Sequence, residues 1–153
     1  MVTLIVASPT LKPVLRKLLD DYLTELAAFD EDVGKRGANG HVDYQYFDDY
    51  WGDTARFPLA IYRGDDLAGF CLLRDMGTRW GVAEFYVLPA HRRQGVGAEA
   101  VQAILDRCRA DGRHTEIEAD TLLANTPALA FWRGQSFVNI SQDEDMHYNI
   151  REL

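Results

Sequence analysis

Two groups of residues stand out for the chemistry they could do. The first is the run Arg92-Arg93-Gln94-Gly95-Val96-Gly97-Ala98. Behind it, Ala98, Val101, Ile104, Leu105 and Cys108 recur in steps of three and four, the helical period. The glycines therefore sit where a helix begins. The first turn of a helix presents N–H groups with no intrahelical acceptor, and its dipole favours negative charge. Glycine lets a phosphate approach the main chain closely, and Arg92 and Arg93 add positive charge beside it. The second feature is Glu84, a lone carboxylate in the otherwise apolar run from Val82 to Leu88. A carboxylate in such a place needs a reason. One reason is general base chemistry, taking a proton from an incoming ammonium group. The plainer one is an ion pair with Arg79 or Arg92.

The elements around these residues can be placed from patterning. Val82 to Leu88 is rich in β-branched and aromatic residues and stops at Pro89, the mark of a strand running into a turn. A first strand is expected over residues 2–7. An amphipathic helix follows from Leu11 to Phe29, with Leu15, Leu18, Leu19, Tyr22, Leu23 and Leu26 on its apolar stripe. Residues 30–43 lose all periodicity and hold three glycines, so a flexible loop is expected there. Tyr44 to Trp51 is dense in rings and acids and predicts a short helix. Aromatic faces and carboxylates are what a cationic amine needs, which makes Tyr44, Tyr46 and Asp48 candidate acceptor-binding residues; surface packing is the plainer alternative. Phe57–Arg63 and Leu67–Leu73, joined through Gly64-Asp65-Asp66, read as a hairpin. After the glycine-bearing helix come a strand near 114–120, a helix opened by Asn125 or Thr126, and a closing hairpin around Asp143-Glu144-Asp145.

The segment Arg92-x-x-Gly95-x-Gly97-Ala98, five residues after Val87, resembles motif A of the GNAT superfamily of N-acyltransferases. The succession of elements resembles that fold across essentially the whole chain. The resemblance implies one α/β (α+β) domain over residues 1–153. Its sheet would have six to seven mostly antiparallel strands, with helices on both faces and two splayed parallel strands at the centre. It implies acetyl-coenzyme A as co-substrate and no metal. The pantetheine arm would pair with the main chain of Phe85, Tyr86 and Val87. The pyrophosphate would rest on Arg92, Arg93, Gln94, Gly95, Val96, Gly97 and Ala98. Asn125 matches the asparagine that commonly opens the last helix near the cofactor arm, where a helix cap is an equal reading. Seven residues on, where the family usually has a proton-donating tyrosine, this chain has Trp132. Glu84 as the base rests on its chemistry alone, since family members with a glutamate base often carry it at a position matching Gly81.

The implied reaction is acetyl transfer to a primary amine by direct attack in a ternary complex. The alternative is a binding module of the same fold without catalysis. A dinucleotide-binding reading of Gly95-x-Gly97-x-x-Ala100 is disfavoured, because several residues separate it from the end of the strand. Composition agrees with a soluble globular protein: 47% of residues are hydrophobic and 26% charged. A net charge of −8 argues against nucleic acid or an anionic membrane as partner and suits a cationic small-molecule or peptide acceptor. Two cysteines in apolar contexts predict buried thiols and, with no leader-like N-terminus, a cytoplasmic protein. A homodimer is compatible with the resemblance.

Overall fold

A computed structural model describes residues 1–153. Seven strands form one sheet in the order β1-β2-β3-β4-β5-β7-β6. They are β1 (Val2–Val6), β2 (Arg56–Arg63), β3 (Asp66–Asp75), β4 (Trp80–Val87), β5 (Glu116–Leu122), β6 (Val138–Gln142) and β7 (Met146–Glu152). Helices α1 (Lys12–Leu26), α2 (Val96–Asp111) and α3 (Thr126–Gly134) connect them. Every neighbouring pair is antiparallel except β4 with β5. This is the mixed, mostly antiparallel sheet expected from the sequence.

The two faces bury different helices. Leu15, Leu18, Leu19 and Leu23 of α1 pack with Phe70, Leu72 and Tyr86 on one face. On the other, Val101, Ile104 and Leu105 of α2 and Trp132 of α3 pack with Leu73, Val82 and Ile117. Fully burying each of these aliphatic side chains stabilises the fold by about 1.5–3 kcal/mol.

Local differences from the patterning have physical causes. Helix α1 stops at Leu26, and residues 27–29 continue only as turns. Between Tyr44 and Trp51 the chain makes only a 3-10 turn, Asp48–Trp51. There the rings of Phe47, Tyr50 and Trp51 are drawn inward rather than arrayed along a helix. The stretch 30–43, where a flexible loop was expected, is anchored to α1 at its end. Asp20 of α1 accepts from the N–H of Val42 at 2.9 Å and contacts His41 Nδ1 at 2.6 Å and Arg16 at 3.0 Å. Burial works to raise the Asp20 pKa, but these hydrogen bonds outweigh it and hold the carboxylate below its usual value.

Strand β4 carries one irregularity that shapes everything near it. Opposite β3 its register runs Leu73↔Val82 and then Leu72↔Glu84, so Ala83 is a bulged extra residue. A bulge bends its strand and reverses which face the following side chains occupy. Val82 accordingly points to the α2 face, while Glu84 lies opposite Leu72 on the α1 face. Parallel pairing with β5 covers only Trp80↔Ile117, Gly81↔Glu118 and Val82↔Ala119. It stops at the bulge, and from there β4 and β5 diverge.

Beyond the bulge β3 follows β4 closely. A Cβ placed on Gly69 would lie 2.0 Å from the carbonyl oxygen of Tyr86. Gly69→Ala is therefore expected to push β3 and β4 apart and destabilise the fold by about 1–3 kcal/mol, read from urea midpoints. An unchanged midpoint would contradict so close an approach.

Candidate active site

The divergence of β4 and β5 opens a seam with a cavity on each side. One, of 600 Å³, is lined by Phe85, Tyr86 and Val87 of β4, by Arg92, Arg93, Gly95, Gly97 and Ala98, and by Pro127, Ala128 and Phe131 of α3. The other, of 460 Å³, runs under α1 and is lined by Glu84, Tyr44, Asp43, Asp32, Asp120 and Thr121 among others.

The first cavity is walled mainly by apolar surface, to which a run of main-chain amides adds polarity. Gly95 caps α2 in the left-handed conformation at φ 80°, and Arg93 adopts φ 61°. The first amide of this segment to find a main-chain acceptor is Glu99, which donates to Gly95 at 3.0 Å. The six N–H groups from Arg93 to Ala98 have no acceptor within the protein. Free amides in such a run at a helix N-terminus are the arrangement that can accept an anion. Gly97 keeps it open, and the ring of Phe131 closes its side, 3.1 Å from where a Cβ would stand.

Not all of the sequence-selected basic loop faces a ligand. Arg92 is held bidentately by Glu25 at 3.0 and 2.9 Å, and its Nε donates to the Val87 carbonyl at 2.8 Å. Its charge is thus largely matched, and it clips the end of β4 to α1. Arg93 is exposed and forms no salt bridge. The Gln94 side chain accepts from Arg63 and donates to the Ala90 carbonyl, outside the cavity lining. The Val96 side chain is buried in the core, so it offers only its amide. Asn125 Oδ1 accepts from Ala128 N at 3.3 Å, the helix-cap role, and lines neither cavity.

The peptide groups of β4 alternate in direction along the ladder. Leu88 donates to Ala68 on the β3 side, so Val87 faces the open seam, where Arg92 takes its carbonyl. The Val87 N–H is left free on the same side.

Acid dominates the second cavity. Five carboxylates, Asp32, Asp43, Glu84, Glu118 and Asp120, line it against a single arginine, Arg74. Glu84 is packed deep, yet a little of its surface remains open to the cavity. It pairs with neither arginine considered from the sequence. Arg79 is engaged by Glu116 and Glu118, and Arg92 by Glu25. Burial pushes the Glu84 carboxyl up, the phenols of Tyr22 and Tyr44 pull it partly back, and it settles at about 7. Burial, with Glu118 beside it, also raises Asp120.

Of the three proposed acceptor contacts, Tyr44 lines this cavity next to Glu84. Tyr46 is exposed, with the Arg56 guanidinium 5.1 Å from its ring centre, and Asp48 pairs with Lys12 at 2.9 Å. Neither reaches the acidic cavity. Sequence reasoning missed Asp43, Asp120 and Tyr22. Asp43 reaches the cavity because Asp20 pins the preceding residues, and Tyr22 had the helical spacing of a core residue. Trp132, standing where a proton-donating tyrosine was expected, is buried among Phe85, Phe131 and Phe137.

The acetyltransferase (GNAT) family matches residues 17–137, and the chain belongs to it. A mycothiol acetyltransferase of Pseudarthrobacter chlorophenolicus is 33% identical over 106 residues, covering 63% of this chain. One of Streptosporangium roseum is 36% identical over 86 residues, covering 56% of this chain. The chain spans only 33% and 25% of the lengths of those two relatives. Among solved structures, spermidine N-acetyltransferase of Vibrio cholerae, in complex with CoA and spermine, has a TM-score of 0.76 at 12% identity. That match covers 99% of this chain and 95% of the other. The match shows a shared fold. No helix is long and apolar enough to cross a membrane.

The raised Glu84 pKa has a consequence for stability. Below its ordinary value of 4.5 the group is protonated folded or unfolded. Between 4.5 and about 7 the folded chain holds a proton that the unfolded chain has released, so stability falls as pH rises through that window. Glu84→Gln removes the titration. It is expected to raise the melting temperature relative to wild type at pH 8 and not at pH 4. Equal shifts at both pH values would contradict a buried, charge-destabilised carboxyl.

Proposed function

We propose that residues 1–153 act as one domain that transfers an acetyl group from acetyl-coenzyme A to a primary amine, by direct attack in a ternary complex. The observation that carries this reading is the seam itself. It joins a cavity lined by unpaired amides to a cavity lined by carboxylates, so an anionic donor and a cationic acceptor can meet end to end.

In this reading the pyrophosphate rests on the amides of Arg93 to Ala98, with Arg93 adding charge. The pantetheine arm runs along Phe85, Tyr86 and Val87, taking the place β5 has vacated. The Phe85 N–H faces the seam as that of Val87 does and lies next to Glu84; it polarises the thioester carbonyl as negative charge develops on its oxygen. The acceptor arrives as an ammonium ion drawn by Asp43, Asp120 and their neighbours. It must lose a proton before nitrogen can attack, and Glu84, poised near neutral pH, takes it.

The likeness to an enzyme that acts on spermidine agrees with a polycationic acceptor. The packing of Trp132 in the core favours the second reading, an acyl-coenzyme A-binding module without turnover.

Calorimetry with acetyl-coenzyme A, followed by thiol release over n-butylamine, 1,4-diaminobutane, spermidine and a lysine-containing peptide, tests the proposal. Binding, with release driven by at least one amine, is expected. Glu84→Gln should then lower kcat/KM by about 10²- to 10⁴-fold and abolish the acid limb of the pH profile near 7. An unchanged profile removes Glu84 as base. Binding without release by any amine leaves the module, and no binding removes both readings.

A further inference from the structure

Acetyl transfer leaves a thiolate, and the position expected to protonate it holds Trp132. That side chain is enclosed by Phe85, Phe131 and Phe137 and has no acidic proton to give near neutral pH. The group that replaces it should stand where the two cavities touch, because that is where the acyl group changes hands. Only Tyr22 and Leu26 line both cavities, and only Tyr22 is polar. Its ring is fixed against Phe70 and Tyr86, at centroid separations of 5.9 and 5.6 Å. In the acidic cavity it shares the lining with Glu84. Tyr44 does so too, but it lines only the acidic cavity.

We infer that Tyr22 of α1 is a catalytic residue that protonates the departing thiolate, handing on the proton Glu84 has taken from the amine. The inference rests on the acetyltransferase reading above. The ammonium group gives its first proton to Glu84, which releases it through the cavity to solvent. The neutral nitrogen attacks the thioester carbon and forms the C–N bond. The nitrogen, now positive, gives a second proton to the Glu84 carboxylate. As the C–S bond breaks, the Tyr22 O–H proton passes to sulfur, and the Glu84 carboxyl proton restores the phenol. The sum is ammonium ion plus thioester giving amide, thiol and one proton to solvent.

A concerted hand-over suits this phenol. Burial, with Glu84 beside it, raises the Tyr22 pKa well above its ordinary value, so a free phenolate is avoided.

Tyr22→Phe keeps the ring and removes the relay. It is assayed with acetyl-coenzyme A and whichever amine of the panel above the wild type acetylates fastest, from pH 6 to 10. The expected result is a kcat at least about tenfold lower even on the alkaline plateau, where Glu84 is ionised, with both KM values within about twofold of wild type. The acid limb should persist and move to higher pH, because the Tyr22 phenol works to lower the Glu84 pKa. A plateau kcat within about twofold of wild type would show that Tyr22 only tunes Glu84 and would overturn the relay. A raised KM with unchanged kcat would show a packing role and overturn it equally. Failure of the wild type to release thiol with any amine would instead remove the acetyltransferase reading, and the relay with it.

Discussion

A single extra residue in β4 governs the site. The bulge at Ala83 sits where parallel pairing with β5 ends, and two consequences follow from it. The strand bends away, so the peptide groups beyond Val82 have no β5 partner. The side-chain alternation also slips by one, so Glu84 leaves the face it would otherwise share with Val82. Without the slip its carboxylate would point into the apolar packing under α2, an environment far too costly for a charge. With the slip it lies beneath α1, facing two phenols and a cavity. Each neighbour of the seam is meanwhile fully paired on its outer side. β3 follows β4 to Val87, and β7 follows β5 to Leu122. The opening is therefore held from both flanks.

The charge arrangement follows from that geometry. In an acidic chain the positive potential beside β4 comes more from main-chain amides than from side chains. Arg92 is matched by Glu25 and acts as a clip on β4, while six unpaired N–H groups and Arg93 present the positive potential. Across the seam the surplus of carboxylates favours a cation. Burial keeps Glu84 and Asp120 from ionising as readily as free acids, and Glu118 adds to the effect at Asp120, so the cavity is less negative near neutral pH than a count of its acids suggests.

Much of this was legible in the sequence because it rests on local signals. The strand ending at Pro89, the glycines at 95 and 97 and the helical spacing after them marked where β4 ends and α2 begins, and seven strands in a mixed sheet followed from the succession of elements. Glu84 could be singled out as a carboxylate in an apolar run, but the face it occupies depends on a bulge that no residue type announces. Arg92 and Arg93 look equivalent in the sequence, and only the approach of Glu25, 67 residues away, separates them. Tyr22 carried the spacing of a core residue and is one in part, since its ring packs on Phe70 and Tyr86 while it also lines both cavities. Tyr44 and Asp48 belong to one aromatic, acidic segment, yet the chain turns between them and leaves only Tyr44 beside Glu84. Long-range contacts decide these cases, and spacing does not encode them.

The central claim is that main-chain amides from 93 to 98, left without acceptors, hold the donor beside an opened seam. Amide hydrogen exchange with and without acetyl-coenzyme A tests this at single-residue resolution. Slowed exchange should concentrate at Arg93 to Ala98 and at Val87 when the donor is bound. Protection arising elsewhere, with these amides exchanging at their unliganded rates, would contradict it.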